Sequence, residues 1–260
     1  MKFMNSDIVT ALLAWRLWLT WSWVDLRQRY RRSRLGTFWM TLSLGVTIFG
    51  ISFVFSGLFG QDIKTLMPHI ATGMIGWTLI TGMVNDGCLV FINAETVIKQ
   101  IHLPYTSHVL RHLMRQFFTF FHHIWIAILV ALIFSVEPTI KTLLVFPALA
   151  LYFINGIWVG LLLGMVCTRF RDVPQIITSA MQLIFFVTPI FWKPGFLTGR
   201  RRFIIDSNPL YHYLEILRQP LLGGSPTLIN WAVVLAITTG GLVVTVFVFR
   251  RFGKRIPYWL

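Results

Sequence analysis

The chain has 260 residues, of which 56% are hydrophobic and 12% charged, and its formal net charge is +14. So few charges among so many apolar residues exclude an ordinary water-soluble domain, where about a quarter of residues are charged. A nucleic-acid reading of the positive charge fails as well, because the basic residues flank long apolar stretches instead of forming one binding stripe.

Residues 1–37 are predicted to form a cytoplasmic unit, a helix along the membrane interface from Ile8 to about Arg34. Arg16 and Asp25 interrupt its apolar run, so it is not a span. Trp15, Trp18, Trp21 and Trp23 favour the headgroup level. At ~100° per residue, Arg27, Arg31 and Arg34 share one face, while Arg29 and Arg32 lie nearly opposite. One set can meet anionic lipid and the other a different anion; a plain topology anchor is the competing reading. Leu35-Gly36 then breaks the helix. No small-residue cleavage site is present near the N-terminus, so no cleaved leader is expected.

Residues 38–260 are predicted to form the transmembrane unit. Apolar stretches cover 38–59, 70–92, 117–135, 143–167, 174–192 and 228–249. Each is close to the roughly 20 residues that cross ~30 Å of hydrocarbon, and such stretches must be helices because unpaired backbone is too costly in lipid. The expected fold is therefore an all-α integral membrane protein with six transmembrane helices. Lys and Arg number 7 before the first span, 3 in 93–116, 2 in 168–173 and 4 after the last, against 1, 1 and 5 in the remaining intervals. By the positive-inside rule both termini are cytoplasmic. Cys88 and Cys167 fall within apolar stretches and suggest no disulfide framework.

Asn85 and Asp86 interrupt the second span. A carboxylate at membrane depth needs a partner. Counting inward from the cytoplasmic ends puts Asp86, His122 and His123 at similar depth, so a pair of Asp86 with His122 or His123 is expected, as an interhelical hydrogen bond before any proton relay or metal site. The 93–104 segment is an amphipathic cytoplasmic helix, with Val97, Ile98 and Ile101 as its apolar stripe beside Glu95, Lys99 and His102; Pro104 ends it. Gly156, Gly160 and Gly164 let a neighbouring helix approach the fourth span. The 168–173 turn leads to Pro174 at the start of the fifth helix, and Pro189 kinks or breaks that helix at its far end. The outer segment that follows is too apolar for a plain loop. Leu210, Leu214, Leu217 and Leu221 repeat at helical spacing, which predicts two re-entrant half-helices between spans 5 and 6.

The sequence contains no Gly-x4-Gly-Lys-[Ser/Thr] loop, no His-Glu-x2-His and no Gly-x-Ser-x-Gly. A basic membrane component with no visible energy source fits a transport subunit driven by a separate ATPase. It is not expected to be an enzyme.

Several pieces in chain order resemble one family. They are 27–39 (Arg-Gln-Arg-Tyr-Arg-Arg-Ser-Arg-Leu-Gly-Thr-Phe-Trp), Asn93-Ala94-Glu95 with the helix to Pro104, Arg169-Phe170-Arg171-Asp172, Thr188-Pro189-Ile190, Asn208-Pro209-Leu210 and the terminal Arg-Ile-Pro-Tyr-Trp-Leu. Together they resemble the permease subunits of ABC-2 polysaccharide exporters for O-antigen, capsule and teichoic acid. The resemblance implies the ABC-2 (type V exporter) fold, a homodimer with a channel between protomers, and two copies of a partner ABC ATPase that bind ATP and Mg, with no cofactor on this chain. It implies a multi-pass protein of the bacterial inner membrane that exports lipid-linked polysaccharide among membrane lipids, without nucleic acid. The alternatives are an exporter of small hydrophobic compounds or of teichoic acid. By the same likeness the N-terminal helix is a gate helix, Glu95, Lys99 and His102 belong to the coupling helix, and Arg169, Arg171 and Asp172 form a second ATPase contact. The run Arg200-Arg201-Arg202 departs from the family pattern.

Two expectations join that likeness to chemistry. Arg27, Arg29, Arg31, Arg32 and Arg34 would attract the substrate's pyrophosphate, since guanidinium pairs with phosphate oxygens in two-pronged fashion. Phe49, Phe53, Phe185, Phe186, Phe191 and Trp192 would line the channel, offering ring faces to sugar C–H groups; lipid-facing Phe is the competing reading.

Overall fold

The computed structural model describes residues 2–29, 31, 34–196 and 199–260, and all regular structure among them is helical. Two helices open the chain, α1 (Lys2–Leu13) and α2 (Trp15–Arg29), separated by a turn at Ala14. The single interfacial helix expected over 8–34 is thus two pieces. They meet where the Trp18 indole donates to the Ala11 carbonyl at 2.9 Å.

α3 (Phe38–Phe59) occupies the predicted residues and stops at Gly60, whose φ of 59° is the left-handed cap that glycine adopts freely. α4 (Ile63–Cys88) starts at Asp62, whose carboxylate accepts the Lys64 amide at 2.9 Å. The short α5 (Glu95–Gln100) leads through Pro104 into α6 (Tyr105–Ile133). A 3-10 turn at Ile140–Leu144 runs into α7 (Val145–Arg169), and Pro174 sits in the first turn of α8 (Val173–Val187). α8 ends before Pro189, so the proline follows a break and kinks nothing. Two further helices, α9 (Arg202–Asp206) and α10 (Pro209–Leu221), precede α11 (Leu228–Phe252) and the terminal α12 (Ile256–Trp259).

Four of the described helical segments are long and apolar enough to cross a membrane: 38–58, 105–133, 140–169 and 228–259. The other two expected spans differ for physical reasons. α8 is apolar but has 15 residues, about 22 Å of helix against ~30 Å of hydrocarbon. α4 is long enough but carries His69, Thr72, Asn85 and Asp86. It can do so because it is the central helix, packed against α3, α6, α7, α8 and α10. Gly87 of α4 crosses Gly160 of α7 so closely that a methyl on Gly87 would lie 3.5 Å from the Gly160 α-carbon. The glycine stripe of α7 is a packing surface against α4 and α6, as its spacing predicts.

α10 is buried along nearly its whole length among α4, α7 and α11. Asn208 caps it by accepting the Leu210 amide at 3.0 Å, and the same side chain donates to Thr188 Oγ1 at 2.8 Å, fixing the end of α8 against the start of α10. The Glu215–Arg218 ion pair on α10 is fully enclosed, at 2.9 Å.

Candidate functional site

At the end of the bundle that gathers α1, α2, α5 and α12, the N-terminal helices are fastened to the start of α6 by two aspartates. Asp7 accepts the amides of Tyr105 and Thr106 at 2.8 and 3.0 Å and the Thr106 hydroxyl at 2.6 Å. It therefore supplies the cap that Pro104 cannot provide. Asp25 takes a two-pronged bond from Arg111, Nε and Nη2 both at 2.6 Å, with the Trp21 ring 5.1 Å from the guanidinium. Sequence reading missed both contacts, because each joins residues about a hundred positions apart.

α2 ends at Arg29, short of the expected Arg34, so Arg31 and Arg34 lie beyond the helix on which their shared face was drawn. Arg27 and Arg31 line one groove of about 630 Å³ with Trp23, Val24 and Gly36. Arg29 lines a different groove, about 430 Å³, between α2, α3, α4 and α6. Arg34 is exposed, and Arg32 lies outside the described residues.

The expected pair between Asp86 and His122 or His123 does not form. Asp86 Oδ2 accepts from Arg115 Nη2 at 2.9 Å and from Gln116 Nε2 at 2.7 Å. His123 instead meets the Thr78 hydroxyl at 3.4 Å, and His122 Nδ1 bonds the Phe118 carbonyl at 2.7 Å within its own helix. The error came from measuring depth from Phe117, where the apolar run begins. α6 begins at Tyr105, roughly three turns earlier, and that brings Arg115 to the level of Asp86. A small polar cavity of about 80 Å³ adjoins the pair, lined by Asp25, Asp86, Asn93, His108, Arg111 and His112. Among the described residues no cluster of three or more His, Cys, Asp or Glu could hold a metal.

The residues assigned to ATPase coupling do converge. On α5, Lys99 pairs with Glu95 at 2.6 Å. The Lys99 hydrogen bond and charge, with Arg171 adding to them, hold the Glu95 carboxyl below its usual range. Arg169 lies over the Trp259 ring at 5.4 Å, and Arg171 donates to the Trp259 carbonyl at 3.5 Å. α5, the 169–172 turn and α12 thus form one surface, with His102, Arg169, Arg171 and Asp172 exposed on it. The predicted stripe is only partly apolar-inward: Ile98 packs against the buried cluster that contains Phe91 and Val109, while Ile101 is 53% exposed.

The aromatic set separates into two groups. Phe49 and Phe53 stack on the outside of α3 with centroids 6.3 Å apart, and Phe186 is exposed on α8. Phe191 is buried in the core, edge-on to Phe185 at 4.8 Å, so within this chain it does not face outward. Trp192 packs partly buried beside it, its carbonyl bonded by His69 Nε2 at 3.2 Å. The reason is the break after Val187: past it the chain turns inward over α4 instead of continuing along α8.

The sequence profile of ABC-2 type transporters matches residues 16–222. Two proteins of Klebsiella pneumoniae, each named O-antigen export system permease protein RfbA, are 21% identical to the chain over 231 residues, covering 88% of either partner. With four described helices long and apolar enough to cross a membrane, and a family match over residues 16–222, the chain belongs to the ABC-2 transporter membrane family.

Proposed function

We propose that this permease exports a lipid-linked polysaccharide, of the O-antigen or capsule class, across the cytoplasmic membrane. Membership of the family makes it a membrane transport subunit that works with an ABC ATPase. The observation that carries the choice of cargo is the likeness to the two O-antigen permeases across 88% of the chain. The exposed rings of Phe49, Phe53 and Phe186 support it, being faces on which sugar C–H groups can slide.

In this reading the chain works as a homodimer with two copies of the ATPase, α4 and α8 complete six spans, and both termini are cytoplasmic. α9 and α10 form the outer re-entrant pair. α2 is the gate helix, with Arg27 and Arg31 attracting the substrate's diphosphate. α5 and the 169–172 turn dock on the ATPase, and closure of that partner on ATP opens a path between protomers. The chain carries out no covalent step. Export of teichoic acid fits the same parts.

A second reading, export of small hydrophobic compounds, is favoured by an apolar cavity of about 260 Å³ lined by Ile80, Met83, Tyr152, Trp158, Leu210 and Tyr213. One experiment separates the two: the permease is co-purified with its ATPase into nanodiscs and ATP hydrolysis is measured. Stimulation by lipid-linked glycan, with none by amphiphilic drugs, is expected; the converse pattern selects the second reading.

A further inference from the structure

Two arginine–aspartate pairs sit on α6 within one turn of each other, and they are built differently. Arg111 closes a complete fork on Asp25, both contacts at 2.6 Å. Arg115 reaches Asp86 with Nη2 alone, at 2.9 Å, and its Nε is buried without a hydrogen-bond partner. Asp86 shares the accepting oxygen with Gln116. A guanidinium offers five donors in a planar fork, and a buried donor left unpaired is destabilising. The Arg115–Asp86 contact is thus an incomplete pair, and a partly open one, with 27% of the Arg115 and 38% of the Asp86 side chain exposed.

Arg115 also stands between two spaces. On one side is the small cavity that includes Asp86, and on the other the 430 Å³ groove that includes Arg29. The described lining of that groove has two guanidinium groups and no carboxylate. Thr47, Thr78, Gln116 and His123 add hydrogen-bonding side chains along it. Its volume lies in the usual range for small-ligand sites, and its lining is mixed, with Leu26, Met40, Leu44 and Met74 beside the two arginines.

We propose that Arg115 and Arg29 form a seat for a phosphate-bearing lipid headgroup, and that Asp86 is the resident counter-ion which this headgroup displaces. Phosphate oxygens bond Nε and Nη2 of one guanidinium together, which the single-pronged carboxylate contact does not. Gln116 then holds Asp86 in place while Arg115 turns to the groove. For the source of the headgroup, transported substrate and not bulk lipid, the proposal rests on the exporter reading; the chemistry of the seat does not.

The test is binding to the full-length chain in zwitterionic nanodiscs, using polyprenyl diphosphate, inorganic pyrophosphate and phosphatidylglycerol as probes. Arg115→Gln should weaken polyprenyl diphosphate and pyrophosphate about ten- to a hundred-fold, as expected for lost charged hydrogen bonds. Arg115→Lys, which keeps charge and fold but loses the fork, should fall between. Asp86→Asn should tighten both probes several-fold, because a competing anion is gone. A purely structural ion pair gives another pattern: both variants lower the melting midpoint and neither moves affinity. Unchanged affinity in Arg115→Gln at wild-type melting overturns the proposal, as does weakening by Asp86→Asn. Displacement of polyprenyl diphosphate by phosphatidylglycerol at equal headgroup concentration overturns the assignment to substrate. Glycan export by cells carrying the wild-type gene bears on the exporter reading alone.

Discussion

The guanidinium of Arg218 lies directly against Gly73, occupying the space a side chain on that residue would need. Arg218 is fully buried on α10 and is neutralised by Glu215, itself held by Gln219 at 2.7 Å. Gly73 is what lets α10 bring this charge pair onto α4. Gly73→Ala should force the guanidinium aside, lower the melting midpoint and reduce the yield of folded protein. Arg218→Met should cost about 3–5 kcal/mol by leaving Glu215 buried and unpaired, and pairing it with Glu215→Gln should recover part of the loss. Thermal unfolding in detergent, read by intrinsic fluorescence, checks the order of the three variants.

Separating α2 from α6 is expected to follow loss of the Asp25–Arg111 fork. Both side chains are partly exposed, at 19% and 29%, so solvent screening limits the loss in Asp25→Asn to about 1 kcal/mol. Limited proteolysis should cut within 15–37 sooner in this variant than in wild type. The exchange Asp25→Arg with Arg111→Asp should restore protection.

Asp7→Ala should act on α6, not on α1. It removes the acceptor of two amides and a hydroxyl, a cap whose loss costs about 1–2 kcal/mol. Amide exchange at Tyr105 and Thr106 should speed up while the middle of α6 remains protected.

The surface of α5 should govern coupling without governing stability. Glu95→Gln and Arg171→Glu are expected to leave the melting midpoint close to that of wild type, as exposed substitutions do, and to reduce substrate-stimulated ATP hydrolysis in the assembled transporter. Lys99 depresses the Glu95 carboxyl, so any stability from this pair is present above the unfolded carboxylate value of about 4.3. It is lost only as pH falls through the lower folded value. A coupling profile measured between about pH 6 and 8 should therefore show no titration from Glu95.

The uniformly apolar, lipid-facing parts of the fold were the legible ones. α3 coincides with its predicted stretch because nothing polar interrupts it and glycine ends it. The first turns of α6 were invisible as part of a span, since His108, Arg111, His112 and Arg115 fall in the polar interval 93–116 that precedes the apolar run. Asp7, Asp25 and Asp86 from three other elements pair with Thr106, Arg111 and Arg115 there, and no local pattern announces partners so far away in sequence. The same blindness misplaced the partner of Asp86. Arg27 and Arg31 share a groove that Arg29 does not line, but α2 stops at Arg29, so the helical angle does not carry to Arg31. The inward turn of Phe191 depended on where α8 stops, which the proline signalled and the apolar run concealed.

Asp7 and Thr106 are separated by 99 positions, so the opening of α6 is assembled from two remote stretches of the polypeptide. During synthesis the N-terminal arm emerges long before its acceptor site exists. Until residue 106 has been made, the bonds from Tyr105 and Thr106 to Asp7 cannot all form. The start of α6 thus acquires its cap only where these two stretches meet, through one carboxylate.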